Sequence, residues 1–496
     1  MFLVVLQFLA FAAVPLFITH LLVRYSKLRS VPGPFLAAFT DLWRWRAQQK
    51  TLFYGPTLVK LHEQYGKLVR IGPNLVSISD PAAVNVVYGT SPVLAKGPSY
   101  KVLVGLSQGK LVHSMMTMNE AQQSAVMKGV GPAFTPNAVL EYEGFVDESE
   151  ALLLAALRKQ KTIDMSKWFQ LFAMDVLNRN AFSESPGFLE KGTDIGDMLQ
   201  TVEKRFSYYN TWGALPDLEF FVHKNPLLRW MGSPINNLAS LARSQFQKRK
   251  AEKGSQSHKD FLQKYLDGQA KYPTTISDTN VVGLVVSSIG AGADTTSTTL
   301  TATLFFLMKN PAAMSRLNEE IEAAVRDGLL SQQPRASEVS KLRYLDAVIK
   351  ESMRLFPIVA SGLDRIIPAG GREIAGTVLP AGTIVACHPE SVHRDKDLYG
   401  EDADKFRPER WLEGDEERVK KMDRAFLGFG CGKRICPGRY VALLEMKKLI
   451  PFLLMNFTMK LEDPDVELED RVKLNSIKYT LPIMVALDEK TSSKGG

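Results

Sequence analysis

The chain opens on a run of hydrophobic positions. Phe2–Val23 reads FLVVLQFLAFAAVPLFITHLLV, with no Asp, Glu, Lys or Arg. At about 1.5 Å per residue the run spans roughly 33 Å, enough for the hydrocarbon core of a bilayer. Arg24, Lys27 and Arg29 follow at once, and positive charge on that flank alone puts the C-terminal end on the cytosolic side. A cleaved signal peptide competes with this reading, but no basic residue precedes the run and no small-x-small site closes it. Residues 1–24 are therefore expected to form a transmembrane signal anchor. Residues 25–36, which contain Pro32-Gly33-Pro34, read as a basic, proline-rich hinge, because two prolines fix φ and exclude helix.

Beyond the hinge the pattern changes period. Lys67–Ser79 holds two β-rich runs around Gly72-Pro73-Asn74, a hairpin signal. From about Glu141 to Glu351 the long periodic segments read as helices, with Lys248–Lys259 as a solvated loop between them. Val281–Met308 is almost wholly apolar or small, with Asp278 to cap it and Pro311 to close it. Asp294 near its middle would cost about 2.5–3.5 kcal/mol at a bilayer centre, so a buried core helix is expected there rather than a second span. A further helix runs from about Leu342 to Leu355, ended by Pro357; Gly376–Val385 and Phe457–Leu487 read as strand. The pattern predicts an α+β, mainly α body in one large domain over 37–490. A long central helix would cross it, small sheets would lie at its periphery, and one transmembrane helix would precede it.

Composition narrows the class. The chain has 496 residues and 45% hydrophobic content, enough for a sizeable core, and 23% charged residues, which excludes a disordered or fibrous chain. Net charge is +8, but Lys and Arg are spread without long tracts. That argues against a nucleic-acid partner and leaves a basic surface suited to an acidic protein. The cysteines are Cys387, Cys431 and Cys436, an odd number that makes no disulfide framework. The body is expected in a reducing compartment, where a thiol is either packing material or reactive.

Neighbours decide which. Phe426–Tyr440 reads FLGFGCGKRICPGRY. Glycines on both sides of Cys436 let backbone approach a flat cofactor and take positive φ. A thiolate needs nearby positive charge or a metal, and Arg434 is placed to pair with a carboxylate. Tyr440–Ile450 reads as helix, which puts Cys436 near a helix N-terminus, where the dipole favours negative charge. Cys431 could share a metal with Cys436, but a structural zinc site takes four ligands, and nearby in sequence only Cys387 and His388 remain. It reads as packing. Elsewhere Glu351 and Arg354 share one helix face at i,i+3 spacing, Phe406-Arg-Pro408-Glu-Arg410-Trp411 supplies a second Arg, and Ala291-Gly292-Ala293-Asp294-Thr295-Thr296 lies in the long helix.

Together, in this order, these segments resemble the cytochrome P-450 haem-thiolate monooxygenase family, in its membrane-anchored eukaryotic, fungal form. The resemblance runs over nearly the whole chain. It implies haem b with Cys436 as axial ligand to the iron, framed by Phe429, Gly430, Arg434 and Gly438. It implies that Arg365 pairs with a haem propionate and that Ala291 lies on the oxygen side. Gly292 would leave room for O2, and Asp294 and Thr295 would be the catalytic residues that deliver protons. Glu351, Arg354 and Arg410 would form a buried structural cluster, and His393 would pack beneath the haem. One departure stands out. Where family members often carry an aromatic or His followed four residues later by Arg, this chain has Gln123 and Met127. Lys128 is the nearest base and the candidate propionate contact on that helix.

The function so implied is insertion of one atom of O2 into a small, weakly polar organic substrate, by hydroxylation, epoxidation or dealkylation, in secondary metabolism. Electrons would come from NADPH through the flavins of NADPH–cytochrome P-450 reductase, with cytochrome b5 as a second donor. Lys433, Arg434, Lys447 and Lys448 form the expected docking face. The expected location is the endoplasmic reticulum membrane, single-pass, with the catalytic body cytosolic. The pocket would draw on Tyr100–Met118, the helix near Ser288 and Ala291, Ile358–Ala360, and the region of Ile477. Two alternatives are a haem-thiolate isomerase or dehydratase that needs no reductase, and a non-enzymatic haem sensor. The intact Asp294–Thr295 pair argues against both.

Overall fold

The computed structural model describes residues 15, 19 and 21–490, except 51–53, 108–109, 113–116, 226, 228–236, 253–257, 469–471, 474–478 and 481. The expected membrane segment lies almost wholly outside the described residues. Among those described, no helix is long and apolar enough to cross a membrane. The stretch that follows is tied to the body by one buried side chain. The Arg70 guanidinium donates to the carbonyls of Arg24, Tyr25, Ala38 and Pro73 at 3.0, 3.0, 3.3 and 2.7 Å. Its amide donates to the Pro32 carbonyl at 2.7 Å. Gly33 runs so close to the Arg70 carbonyl that no Cβ would fit.

Six helices matter for the site: α1 (Glu120–Val130), α2 (Glu143–Leu157), α3 (Met165–Phe182), α4 (Asp278–Lys309), α5 (Arg343–Leu355) and α6 (Arg439–Asn456). The long helix is α4, with 32 residues. Its cap is Ser277 rather than Asp278: the Ser277 hydroxyl accepts from the Asn280 amide, and Asn280 bonds back to the Ser277 amide. The interior of α4 is buried although it is rich in Thr and Ser. Most of those hydroxyls are satisfied locally, while the Thr298 hydroxyl is buried without a hydrogen-bond partner among the described residues. Thr295, Thr299, Thr301 and Thr303 each donate to the carbonyl four residues back, at 2.7–2.8 Å. Helix α4 packs along α3, which is itself almost fully buried, and the two form the centre of the hydrophobic core.

Each segment read as strand contains strand, though Phe457–Leu487 is strand only in part. Strands β1 (Leu68–Gly72) and β2 (Leu75–Ile78) form the expected antiparallel hairpin. They join β3 (Ala95–Lys96), β4 (Arg365–Ile366) and β5 (Ile384–Cys387) in one sheet, in the order β1-β2-β5-β4-β3. Gly376–Val385, read as strand, holds parts of two strands that do not pair with each other. Thr377–Leu379 pairs with Arg372–Ile374, while β5 runs parallel to β2. Near the C-terminus, Phe457–Leu461 pairs with Met484–Glu489, which also takes Thr162–Asp164. The solvated loop expected at Lys248–Lys259 is helix through Ala251. Arg249 there is buried and bidentate to Asp260, at 3.0 and 2.7 Å. A buried guanidinium requires such a partner, and a string of charged residues hides it.

Candidate active site

Cys436 sits where the loop from Phe426 meets the first turn of α6. Gly430 and Gly432 both take positive φ, at 72° and 66°, which bends the loop back on itself. A Cβ on Gly432 would collide with the Tyr88 carbonyl. The bend closes with the Cys436 amide donating to the Phe429 carbonyl at 2.8 Å. Gly438 has ordinary negative φ as the residue before α6, and its Cα side faces the Cys436 Sγ. Burial pushes the Cys436 thiol up; the backbone amides of Gly438 and Arg439 and the Arg439 charge pull the other way. Sulfur is therefore held against a helix N-terminus that favours its anionic form, and a metal ion at that atom would settle the balance, since a coordinating thiol is deprotonated outright.

Behind the loop lies the arginine–glutamate cluster, fully buried. Arg354 grips Glu351 with Nε and Nη2 at 2.9 and 2.8 Å. Arg410 Nε and Trp411 Nε1 complete the Glu351 carboxylate at 2.8 and 2.9 Å. The cluster reaches the cysteine loop through His393, a link the sequence did not show. Its Nδ1 bonds the Arg354 carbonyl at 3.0 Å, and the Leu427 amide donates to its Nε2 at 2.9 Å. Those partners place the proton on Nδ1. Burial first, then the Arg354 charge, lowers the His393 pKa to about 3, so the ring is neutral.

On α4, Ala291 is exposed and Thr295 half-buried, while Ala293 and Asp294 are buried. The Thr295 hydroxyl donates to the Ala291 carbonyl at 2.7 Å, leaving its oxygen free to accept. Burial, then the nearby Glu203 charge, raises the Asp294 pKa to about 7. A Cβ on Gly292 would stand 2.8 Å from a Leu177 methyl on α3, so its missing side chain gives Leu177 room to pack against α4.

A third group is cationic. Arg365 on β4 is buried, donates to the Tyr100 hydroxyl at 3.1 Å and lies over the Tyr88 ring. Arg434 is paired with Glu120 of α1, yet its Nε and Nη1 are buried without a hydrogen-bond partner among the described residues. Lys128 is exposed in the last turn of α1. Gln123, one turn in from the start of that helix, accepts instead from the buried Lys96, at 2.6 Å. The expected docking cations also separate. Lys433 is exposed. Lys447 pairs with Asp346, and Lys448 is fully buried against Asp147 and Glu143 of α2. An amphipathic stem at helical spacing gives no sign in sequence of which Lys faces inward.

The donor set fits a haem. A thiol cradled by amides can ligate iron, and orphaned guanidinium nitrogens beside a second buried Arg suit the two propionates. The comparisons agree. The sequence model of the family described as Cytochrome P450 matches residues 42–485. A cytochrome P450 monooxygenase of Aspergillus terreus is 34% identical over 89% of this chain and 92% of its own length. One named cicH, from Emericella nidulans, is 35% identical over 90% and 91%. Another, mfmA of Annulohypoxylon moriforme, is 33% identical over 90% of each. With the family's model spanning the body and relatives of this identity matched nearly end to end, the chain belongs to the cytochrome P450 family of haem-using oxidoreductases and is a cytochrome P450 monooxygenase.

Proposed function

We propose that this enzyme inserts one oxygen atom of O2 into a small, mostly apolar organic molecule, by hydroxylation, epoxidation or dealkylation, in fungal secondary metabolism. The observation that carries the reading is the seat of the Cys436 sulfur against the amides of Gly438 and Arg439, in a loop braced by His393. Haem b, when bound, supplies oxygen activation, its thiolate ligand favouring O–O cleavage. The residues of the chain do the rest. Cys436 would ligate the iron, with Phe429 and Gly430 shaping the loop; Arg434 and Arg365 would hold the propionates. Asp294, with a pKa of about 7, can hold or give up a proton near neutral pH, as general acid work requires. Thr295 can accept a hydrogen bond from water between Asp294 and the oxygen side. Ala291, Ile358 and Ala360 give a weakly polar lining, which suits an apolar substrate.

Electrons are proposed to come from NADPH through a flavin-containing reductase, with cytochrome b5 as a second donor. The basic excess of the chain supports an acidic partner, and of the expected docking cations Lys433 is the exposed one. A single-pass anchor at Phe2–Val23 in the endoplasmic reticulum membrane, with the body in the cytosol, is supported by the uncharged run and the basic flank after it. The test is turnover of an apolar substrate panel with reductase and NADPH under heavy-isotope O2. A product carrying one heavy oxygen atom is expected. An isomerised or dehydrated product formed without NADPH consumption would contradict the proposal.

A further inference from the structure

The propionate end of the site carries a charge imbalance that α1 does not explain. Strands β3 and β4 pair antiparallel with Lys96 directly opposite Arg365. Each of the two is only 3% exposed. Like charges facing each other across a strand pair destabilise it, and burial makes the repulsion costlier. The Tyr100 ring softens this from one side, with Lys96 Nζ 5.2 Å and the Arg365 guanidinium 5.8 Å from its centroid. Arg434 adds a third cation. Glu120 and Gln123 lie three residues apart on one face of α1; Glu120 holds Arg434, and Gln123 holds Lys96. Among the described residues, Lys96 thus has two other cations near it, Arg365 and Arg434, and two anions, Glu120 and Asp364, which leaves one positive charge in excess. The Asp364 carboxylate, beside Arg365, also accepts from the Ser99 hydroxyl and amide, at 2.5 and 3.2 Å.

We propose that Lys96, presented by β3 and aimed by Gln123 and the Thr117 carbonyl, supplies the haem propionates with the cation that α1 lacks. The inference rests on the haem reading above. The helix position where family members often carry Arg is Met127, which cannot donate, and Lys128 is turned to solvent. Gln123 keeps a role there by fixing the Lys96 ammonium, with Nζ 2.6 Å from its amide oxygen and 2.7 Å from the Thr117 carbonyl. A dianionic edge of the cofactor placed between Lys96, Arg365 and Arg434 would meet all three cations and more than offset the excess positive charge. It would also engage the two orphaned Arg434 nitrogens. Repulsion from Arg434 and Arg365, after burial, already lowers the Lys96 pKa to about 8, the direction expected of a cation held in a site built for an anion.

The test is the rate at which the haem-loaded protein loses its haem to an excess of a haem-scavenging apoprotein. Lys96→Met keeps the stem and removes the charge, and Lys96→Arg keeps the charge. Release from Lys96→Met is expected to be about tenfold faster or more, the loss typical of one hydrogen bond to a charged group. Lys96→Arg and Lys128→Met are expected to stay close to wild type. An unaltered carbon monoxide spectrum of each reduced variant before release shows that the fold and the thiolate ligation are intact. Wild-type release from Lys96→Met overturns the proposal. So does equally fast release from Lys96→Arg, or acceleration by Lys128→Met alone. A wild-type protein without thiolate-bound haem would overturn the haem reading itself, which is a different failure.

Discussion

Arg354 and His393 hold each other by opposite ends. The Arg354 guanidinium donates to the His393 carbonyl at 2.6 Å, and His393 Nδ1 donates to the Arg354 carbonyl at 3.0 Å. The free face of the ring then receives the Leu427 amide. Through one imidazole, the buried charge cluster of α5 thus sets the position of the cysteine loop. His393→Ala would lose two buried hydrogen bonds and leave a cavity, a cost of about 2–4 kcal/mol in denaturant unfolding. A change under about 0.5 kcal/mol would show that the ring only fills space.

The same residue makes an acid-side prediction. Its folded pKa of about 3 lies below the ordinary 6.5, so the unfolded chain binds a proton the native protein refuses. The stability that neutral His393 contributes is present above 6.5 and is lost as pH falls toward 3. His393→Gln, with a donor and an acceptor but no charge change, should flatten that part of the stability–pH curve.

Glu445 predicts the opposite slope. Both its carboxylate oxygens are buried on α6 without a hydrogen-bond partner among the described residues. Burial raises its pKa from 4.5 to about 8. The native state keeps a proton that the unfolded chain releases, so stability is lost as pH rises from 4.5 to about 8. Glu445→Gln should unfold at a higher temperature than wild type at the top of that window and nearly the same at its bottom. Parallel curves would contradict the assignment.

Gly292 separates packing from oxygen access. Gly292→Ala pushes a methyl toward Leu177 and should cost about 1–3 kcal/mol, as overpacking does. Measured against Leu177→Ala instead of wild type, in a double-mutant cycle, the cost of Gly292→Ala should fall to near zero. Loss of turnover at full stability would favour the oxygen-room reading.

Asp294 is proposed to set the pH dependence of turnover. With its pKa near 7, wild-type turnover should show a limb at neutral pH that Asp294→Asn lacks, with a loss of about 10²-fold or more. An unchanged profile in the variant would remove Asp294 from proton delivery.

How much of this was legible beforehand follows physical range. Period and caps are local, so α4, α5 and the β1–β2 hairpin were readable to within a few residues. The motif spacing named Cys436, and the Glu351–Arg354 pair sits at i,i+3. What the sequence hid depends on contacts far along the chain. Lys96 and Arg365 meet only through a strand pairing. Lys448 looked like a surface cation beside Lys447 until α2 supplied its carboxylates. That Gly292 meets Leu177 is hidden too, because nothing local reveals which face of α4 packs on α3.

The central claim is that Cys436 ligates haem iron through its sulfur. The most direct measurement is the carbon monoxide difference spectrum of the reduced protein, taken for wild type and for Cys436→Ser. The account predicts a thiolate-type spectrum in the wild type that Cys436→Ser abolishes, while Cys431→Ser leaves it unchanged. A histidine-type spectrum in the wild type, or a thiolate spectrum that survives in Cys436→Ser, would contradict it.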